Sequence, residues 1–285
     1  MATEIDRARA GGGRDRVGGI FPRALSVAAV ARHNLVSSRR LAMRRRRDLR
    51  FRVIPYDGFE IVNLAAIVLT ALVLLVLLLD PYLTVWQASL PEGLVRVFKV
   101  LTDFGKSDWM LIGSGAVVIV SLLTDASRLG PRLRVRKAVR TLAAFYVFLA
   151  VAVPGIIANF SKYLLGRARP KHFAENGIFS FDFWSGDAGW ASFPSGHATT
   201  AMALGVALAL LFPRLRWFFL CLGFWVALSR LFVQAHYPSD VLAGCLLGGV
   251  AAWLIARAFA RRRLVFGFDA DGSLIRRRGA SGRLR

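Results

Sequence analysis

The sequence predicts an all-α fold: a polytopic membrane helix bundle with six transmembrane helices. Three observations predict it. Apolar residues make up 55% of the 285 positions, and they lie in blocks with almost no internal charge rather than spread with helix or strand periodicity. Six of those blocks are candidates to cross a bilayer. The charge is lopsided, 39 Lys and Arg against 17 Asp and Glu, and the basic residues collect in alternate connections between the blocks.

Residues 1–58 are Arg-rich, with Gly11-Gly12-Gly13 near the start and Arg44-Arg45-Arg46-Arg47 near the end. They predict a largely disordered arm that becomes a polybasic segment beside the membrane, where it meets anionic lipid. Aromatic interleaving is sparse there, so no nucleic-acid partner is expected. No signal-peptide pattern is present, since Arg23 and Arg32 bracket the short apolar stretch from Ala24 to Val30. Residues 59–258 predict the bundle. Its first span is Ile61 to Leu79, ended by Asp80-Pro81. A loop of mixed charge follows to Asp108, in which Thr102 to Trp109 reads as a turn and cap before the second span, Trp109 to Leu123. A strongly basic loop (Arg128, Arg132, Arg134, Arg136, Lys137, Arg140) leads to the third span, Thr141 to Ala158, with Pro154 as a kink. The fourth is Ala198 to Phe212, the fifth has its core at Trp217 to Leu228, and the sixth is Val241 to Ala256. Several fall short of the usual ~20 residues, which suits helices whose polar ends line a pocket. Gly244 and Gly248 form a small-xxx-small pair for close packing within the bundle. Cys221 and Cys245 lie in apolar runs and read as small apolar residues. Residues 259–285 predict a basic tail, with Arg261-Arg262-Arg263 and Arg276-Arg277-Arg278.

With the N-terminus in the cytoplasm, the basic loop, the Pro213-Arg214-Leu215-Arg216 turn and the basic tail all fall on the cytoplasmic side. The remaining connections fall outside, and they carry three polar clusters. Lys162-Tyr-Leu-Leu-Gly-Arg-Ala-Arg169-Pro170 places Lys162 and Arg169 seven apart, two turns on one helix face, with the helix ending near Arg169 because Pro170 follows. Pro194-Ser195-Gly196-His197 immediately precedes the fourth span. Ser195 reads equally as an N-cap or as part of an anion site, since a helix N-terminus with a glycine presents N–H groups to anions. Ser229-Arg230 closes the fifth span, and His236 and Asp240 flank Tyr237-Pro238, where the sixth helix should start. Asp240 either complements the helix dipole or holds His236 in one tautomer. His33 and His172 read as ordinary polar residues. Three cations, two histidines and one carboxylate form an inventory for an oxyanion, above all a phosphate.

Lys-x6-Arg-Pro, Pro-Ser-Gly-His and Ser-Arg-x5-His-x3-Asp, intact and in order, resemble the three signatures of the type-2 phosphatidic acid phosphatase superfamily. The resemblance covers roughly residues 60–258. It implies a membrane lipid phosphatase with a phosphohistidine intermediate, His236 as nucleophile, Asp240 orienting it, and His197 as general acid and then base. It implies a phosphate cradle of Lys162, Arg169, Ser195, Gly196 and Arg230. No carboxylate cluster points to a metal, so no cofactor is expected and hydrolysis should be metal-independent. Undecaprenyl diphosphate, phosphatidylglycerophosphate, phosphatidic acid and lipid A phosphates all meet the inventory. The Arg-rich style points to a bacterial inner membrane, with the site on the outer face. The long loop from Asn159 to Phe193, with Phe173, Phe179, Phe181, Phe183, Trp184 and Trp190, reads as a partial lid that touches lipid. Three rivals stand beside this reading. One is a vanadium haloperoxidase, which shares the signatures but which the six spans and the five residues between Arg230 and His236 disfavour. The others are a lipid phosphotransferase and a non-catalytic lipid-phosphate binder.

Overall fold

The structure, a computed structural model, describes residues 27–36, 47–125 and 129–277. Most of the arm, including Gly11-Gly12-Gly13 and Arg44-Arg45-Arg46, lies outside the described residues, as do Arg128 of the basic loop and Arg278 of the tail. The described part of the arm contacts the bundle, and the expectation of a largely disordered arm falls mostly on residues outside the described ones. Residues 27–36 form a helix (α1) whose Asn34 Nδ2 donates to Leu122 O at 2.7 Å. Asp48 N donates to Arg261 O at 2.7 Å, and the Arg257 guanidinium donates to the carbonyls of Arg52 and Val53 at 2.8 Å each. Polar backbone that would otherwise need water is thereby satisfied at the end of the bundle.

The first long helix starts at α2 (Gly58–Leu74) with a capping box. Glu60 N donates to Asp57, and Asp57 N donates back to Glu60. No residue of α2 is buried, so most of its apolar surface faces outward, as a lipid-facing helix requires. Asp80-Pro81 does not end this helix. A π turn (Leu75–Leu79) leads straight into α3 (Asp80–Ala88), giving 31 continuous residues. Pro81 is tolerated because it sits in the first turn of α3, and the irregular turn before it relaxes the ladder that a proline interrupts. Asp80 is tolerated because it is buried against a cation rather than left in lipid, as described below.

The expected mixed-charge loop to Asp108 is also mostly helical. It holds α3 and α4 (Glu92–Asp103), and a short turn then opens α5 (Ser107–Leu123). Phe98 of α4 stacks on Phe232, ring centroids 3.8 Å apart. Helix α6 (Pro131–Leu165) runs 35 residues through Pro154, longer at both ends than its apolar core. It stops at Gly166, not at Arg169. Gly166 has φ +55°, and a Cβ there would stand 1.6 Å from Asp182 O. Only glycine fits that turn. Lys162 and Arg169 therefore do not share a helix face; Arg169 lies in the extended segment beyond the cap. After the short α7 (Phe173–Asn176) come α8 (Gly196–Leu211), α9 (Arg216–Phe232) and α10 (Pro238–Arg261). The tail then adds what an all-α reading did not include, an antiparallel hairpin of β1 (Phe266–Phe268) and β2 (Leu274–Arg276), with Phe266 opposite Arg276.

Among the described residues, five helices are long and apolar enough to cross a membrane: Gly58–Ala88, Glu92–Leu123, Pro131–Leu165, Pro213–Phe232 and Pro238–Arg261. The sixth expected span, α8, has 16 residues, about 24 Å at 1.5 Å per residue. It is the core of the bundle rather than part of its lipid-facing wall. Ala198, Ala203 and Ala207 are wholly buried, and α6, α9 and α10 pack around it. Small residues permit the approach. A Cβ on Gly248 would stand 2.0 Å from Thr199 O, one on Gly244 2.5 Å from Ser195 O, and one on Gly223 2.9 Å from Ala201 O. The Gly244/Gly248 pair thus packs within the bundle. Of the cysteines, Cys245 is half-buried but Cys221 is exposed on α9.

Directions alternate. The C-terminal ends of α6 and α9 and the N-terminal ends of α8 and α10 meet at one end of the bundle, and it is these ends that carry the three clusters. The other end is closed by Tyr146, Phe259, Phe266 and Phe268, with Phe51 packed alongside. It carries Arg214, Arg216, Arg261, Arg262 and Arg263.

Candidate active site

Lys162 sits one turn before the Gly166 cap, and its Nζ lies 3.2 Å from where a Gly196 Cβ would be. A side chain at 196 would collide with the ammonium; glycine leaves the first N–H groups of α8 open beside it. Ser195 caps that helix, its Oγ accepting from Ala198 N at 3.5 Å, and its own N–H donates to Asp240 O. Both readings of Ser195 are thus compatible with its position, although its side chain is spent on the cap. His197, in the first turn of α8, lies against Gly105, whose Cβ position is 3.1 Å from the imidazole Cδ2. The turn at 102–109 is therefore a wall of the site. Thr200 Oγ1 donates to Gly105 O at 2.6 Å, and Arg230 NH1 donates to Thr102 Oγ1 at 2.7 Å.

Arg169 and Arg230 complete a trio of cations with Lys162, which lies within electrostatic reach of both. Arg230 is 9% exposed. The Nε of Arg169 and the Nε of Arg230 are buried without a hydrogen-bond partner. Burial pulls Arg169 below its ordinary pKa, against the opposing pull of Asp240 and Asp187. Buried guanidinium N–H groups are costly to leave unpaired, so the trio has the character of a receptor for an anion.

His236 is 1% exposed. Burial pulls it down to about 4, with Arg230 and Lys162 pushing the same way against Asp240. It is neutral at ordinary pH, as a nitrogen nucleophile must be. Its Nδ1 lies 3.6 Å from Asp240 Oδ2, longer than a hydrogen bond. Asp240 is already occupied: Oδ1 accepts from Arg167 NH1 at 2.6 Å, and Oδ2 accepts from Ser192 Oγ at 2.6 Å and Tyr237 N at 3.0 Å. Helix α10 begins at Pro238, which puts Asp240 in its first turn.

Four of these partners were not singled out from sequence: Arg167, Asp80, Ser192 and Ser239. Arg167 is 3% exposed and joins Asp240 to Asp80, with NH2 donating to Asp80 Oδ2 at 2.8 Å and NH1 to Ser239 Oγ at 2.8 Å. Asp240 and Asp80 hold Arg167 above its ordinary pKa in spite of burial. Its guanidinium also lies 4.3 Å over the Tyr237 ring. The available signal was an ionisable residue at each edge of an apolar run, Asp80 after α2 and Arg167 after α6.

The loop after α6 is held by backbone bonds on both edges: Ala168 N to Ser180 O, Asp182 N to Gly166 O, Arg169 N to Gly189 O, and Ser192 N to Arg167 O. Its later part reaches the site through Ser192. Its aromatic part lies beside α2 and α6 instead. Phe179 and Phe181 line an apolar groove with Leu69 and Leu72, and Trp184 meets Phe160 edge-on. His172 stacks on Trp190 in the same loop. A second cavity, of about 550 Å³, opens between α5 and α6. Lys162, Gly196 and His197 form its polar wall, Leu111, Phe148 and Ile156 its apolar one. Among the described residues, no group of three or more His, Cys, Asp or Glu is placed to hold a metal ion.

Comparison with known proteins follows the same residues. The PAP2 superfamily model matches residues 143–264, which include all three clusters. The chain is 38% identical to the lipid A 1-phosphatase of Rhizobium etli over 72% of this chain and 88% of that protein. It is 38% identical to the lipid A 1-phosphatase of Rhizobium johnstonii over 72% of this chain and 84% of that protein. It is 35% identical to the lipid A 4'-phosphatase of Bacteroides thetaiotaomicron over 34% of this chain and 44% of that protein. No solved structure matches the chain.

Proposed function

Since the chain belongs to the PAP2 superfamily, whose members here are lipid phosphatases of membranes, we propose that it removes the 1-phosphate of a lipid A-type glycolipid through a phosphohistidine. One observation carries the phosphate reading: three cations, Arg230 buried and Lys162 and Arg169 half-buried, converge beside two histidines. The cavity between α5 and α6 supports a lipid substrate, because its apolar wall continues sideways from the cationic one. The name and coverage of the Rhizobium relatives favour lipid A over the other candidate lipids.

Lys162, Arg169, Arg230 and the N–H groups at Gly196 hold the phosphate oxygens, where charge must be stabilised as the phosphoryl group transfers. Nδ1 of His236 faces Asp240, so Nε2 bonds to phosphorus as the phosphorus–oxygen bond to the sugar breaks. His197, which burial and the surrounding cations keep neutral in the free protein, takes up a proton beside the bound phosphate and gives it to that oxygen, which leaves as a hydroxyl on the lipid. Water then bonds to phosphorus and passes a proton to His197 while the phosphorus–nitrogen bond breaks. Inorganic phosphate leaves, and both histidines are restored. No metal takes part. The basic residues gathered at the opposite end support a cytoplasmic position for that end, against anionic lipid, and an outward-facing site in a bacterial inner membrane.

The test is phosphate release by the purified protein in lipid–detergent micelles containing EDTA. Lipid A, undecaprenyl diphosphate, phosphatidylglycerophosphate and phosphatidic acid are compared at equal surface fraction. Lipid A should lose its 1-phosphate fastest, and acid-quenched protein should carry label from its phosphorus. Preference for another of the four would overturn the substrate. Transfer to a lipid acceptor with no free phosphate would overturn hydrolysis.

A further inference from the structure

One polar stripe in the first long helix has no part in binding phosphate. Asp80, Thr84 and Gln87 are the buried residues of α3, spaced i, i+4, i+7 and so on one face. Nothing in the preceding α2 is buried. The π turn Leu75–Leu79 separates the two and marks where the helix changes from lipid-facing to inward-facing. Polar groups at such a depth are expensive unless paired; Thr84 Oγ1 donates to Asp80 O within the helix, and Asp80 and Gln87 bond to the loop that carries His236.

The stripe grips that loop at both ends. Gln87 Nε2 donates to the His236 carbonyl at 3.5 Å, and Gln87 O accepts from the Gln234 side chain. On the far side of His236, Asp80 Oδ1 accepts from Ser239 N at 3.1 Å and Asp80 Oδ2 from Ser239 Oγ at 2.6 Å. Arg167 then ties Asp80 to Asp240. Asp240 cannot close on His236 while Arg167, Ser192 and Tyr237 N hold both its oxygens. It acts as a charge fixed 3.6 Å from Nδ1. The buried set contains two carboxylates, one guanidinium and a neutral imidazole, a net charge of minus one. Phosphorylation of His236 at Nε2 leaves the ring cationic with its Nδ1 proton, and the set becomes neutral. The stripe and Arg167 therefore hold a charge deficit that the intermediate fills.

We propose that Asp80, Gln87 and Arg167 are positioning residues for the His236–Asp240 pair, so that the first membrane helix governs the turnover step while the cradle governs phosphate binding. This rests on the phosphatase reading above. The test is kcat, KM and the inhibition constant of orthovanadate for Asp80→Asn, Gln87→Ala and Arg167→Gln in the full-length protein in micelles. Expected is a fall in kcat of about ten- to hundredfold for Asp80→Asn and Arg167→Gln, the scale seen when groups that orient a working histidine are removed, and a smaller fall for Gln87→Ala. KM and vanadate inhibition should stay within about threefold, because no cradle residue is touched. Unchanged kcat in all three variants, with the parent active, would overturn the proposal alone. So would vanadate affinity falling in step with kcat, which would make the network a support of the fold only. A parent protein that releases no phosphate would overturn the phosphatase reading and the proposal with it.

Discussion

Two charge clusters flank Asp240, and they are built on opposite principles. On one side, Lys162, Arg169 and Arg230 bring three positive charges together with buried donors unpaired. On the other, Arg167 meets Asp80, Ser239 and Asp240 at 2.6–2.8 Å and leaves only its Nε without a bond. The first carries an excess of positive charge that an anion would balance. The second has its guanidinium bonded to two carboxylates. Pairing with carboxylates, more than burial, separates a cation open to a ligand from one that holds another group still.

Mutations can break this contrast at several levels. His236→Ala removes the group both clusters serve, and phosphate release should fall by about 10⁴-fold or more; release left unchanged would refute the mechanism. Next, Arg230→Ala and Arg169→Ala should each lower kcat/KM by about 10²–10³-fold, as loss of a charge-stabilising donor does. They should also abolish vanadate inhibition, which separates them from the Asp80 and Arg167 variants. Gly248→Ala tests packing rather than chemistry. The new methyl would stand 2.0 Å from Thr199 O, so the α8–α10 contact must open, at about 1–3 kcal/mol, read as a lower Tm in detergent. The smallest effect concerns pH. Because His236 is held at about 4 and its neutral form is the nucleophile, activity should persist as pH falls through 6.5, the ordinary histidine value. It should be lost only as pH approaches 4. A midpoint near 6.5 in a direct NMR titration of the His236 ring would show that His236 is not held down.

That these cations and histidines share one end of the bundle was legible in the sequence, because each stands at the end of an apolar run and the runs alternate in direction. Lys162, Arg169, His197, Arg230, His236 and Asp240 all come to one end of the bundle. The clamp was not legible, for a specific reason at each member. Asp80-Pro81 looks like the end of a span, because hydropathy cannot show a π turn or a buried partner some 90 residues away. Arg167 looks like one more interfacial cation between Lys162 and Arg169. Ser192 and Ser239 have no signal beyond their type. Pro170 predicts a helix end near Arg169, but Gly166 ends the helix first, because a left-handed glycine cap is the stronger stop. Helix α8 is shorter and more enclosed than the other apolar helices, and hydropathy alone does not show that its neighbours are protein rather than lipid. The hairpin was hidden by the arginines around it.

The aromatic seal of Tyr146, Phe259, Phe266 and Phe268 has a consequence for transport. A catalytic site at one end of a membrane bundle, with wet polar groups on its wall, is half of a permeation pathway. Here the second half is filled with rings, and the tyrosine hydroxyl is tied to Ala252 O at 3.1 Å. On the proposed reaction, the rings would close the way toward the opposite end, and freed phosphate would leave on the side from which the substrate headgroup came. The reaction would then be a sidedness-preserving sink, exchanging a lipid anion for a soluble one in the same compartment without moving charge across the bilayer or drawing on its potential.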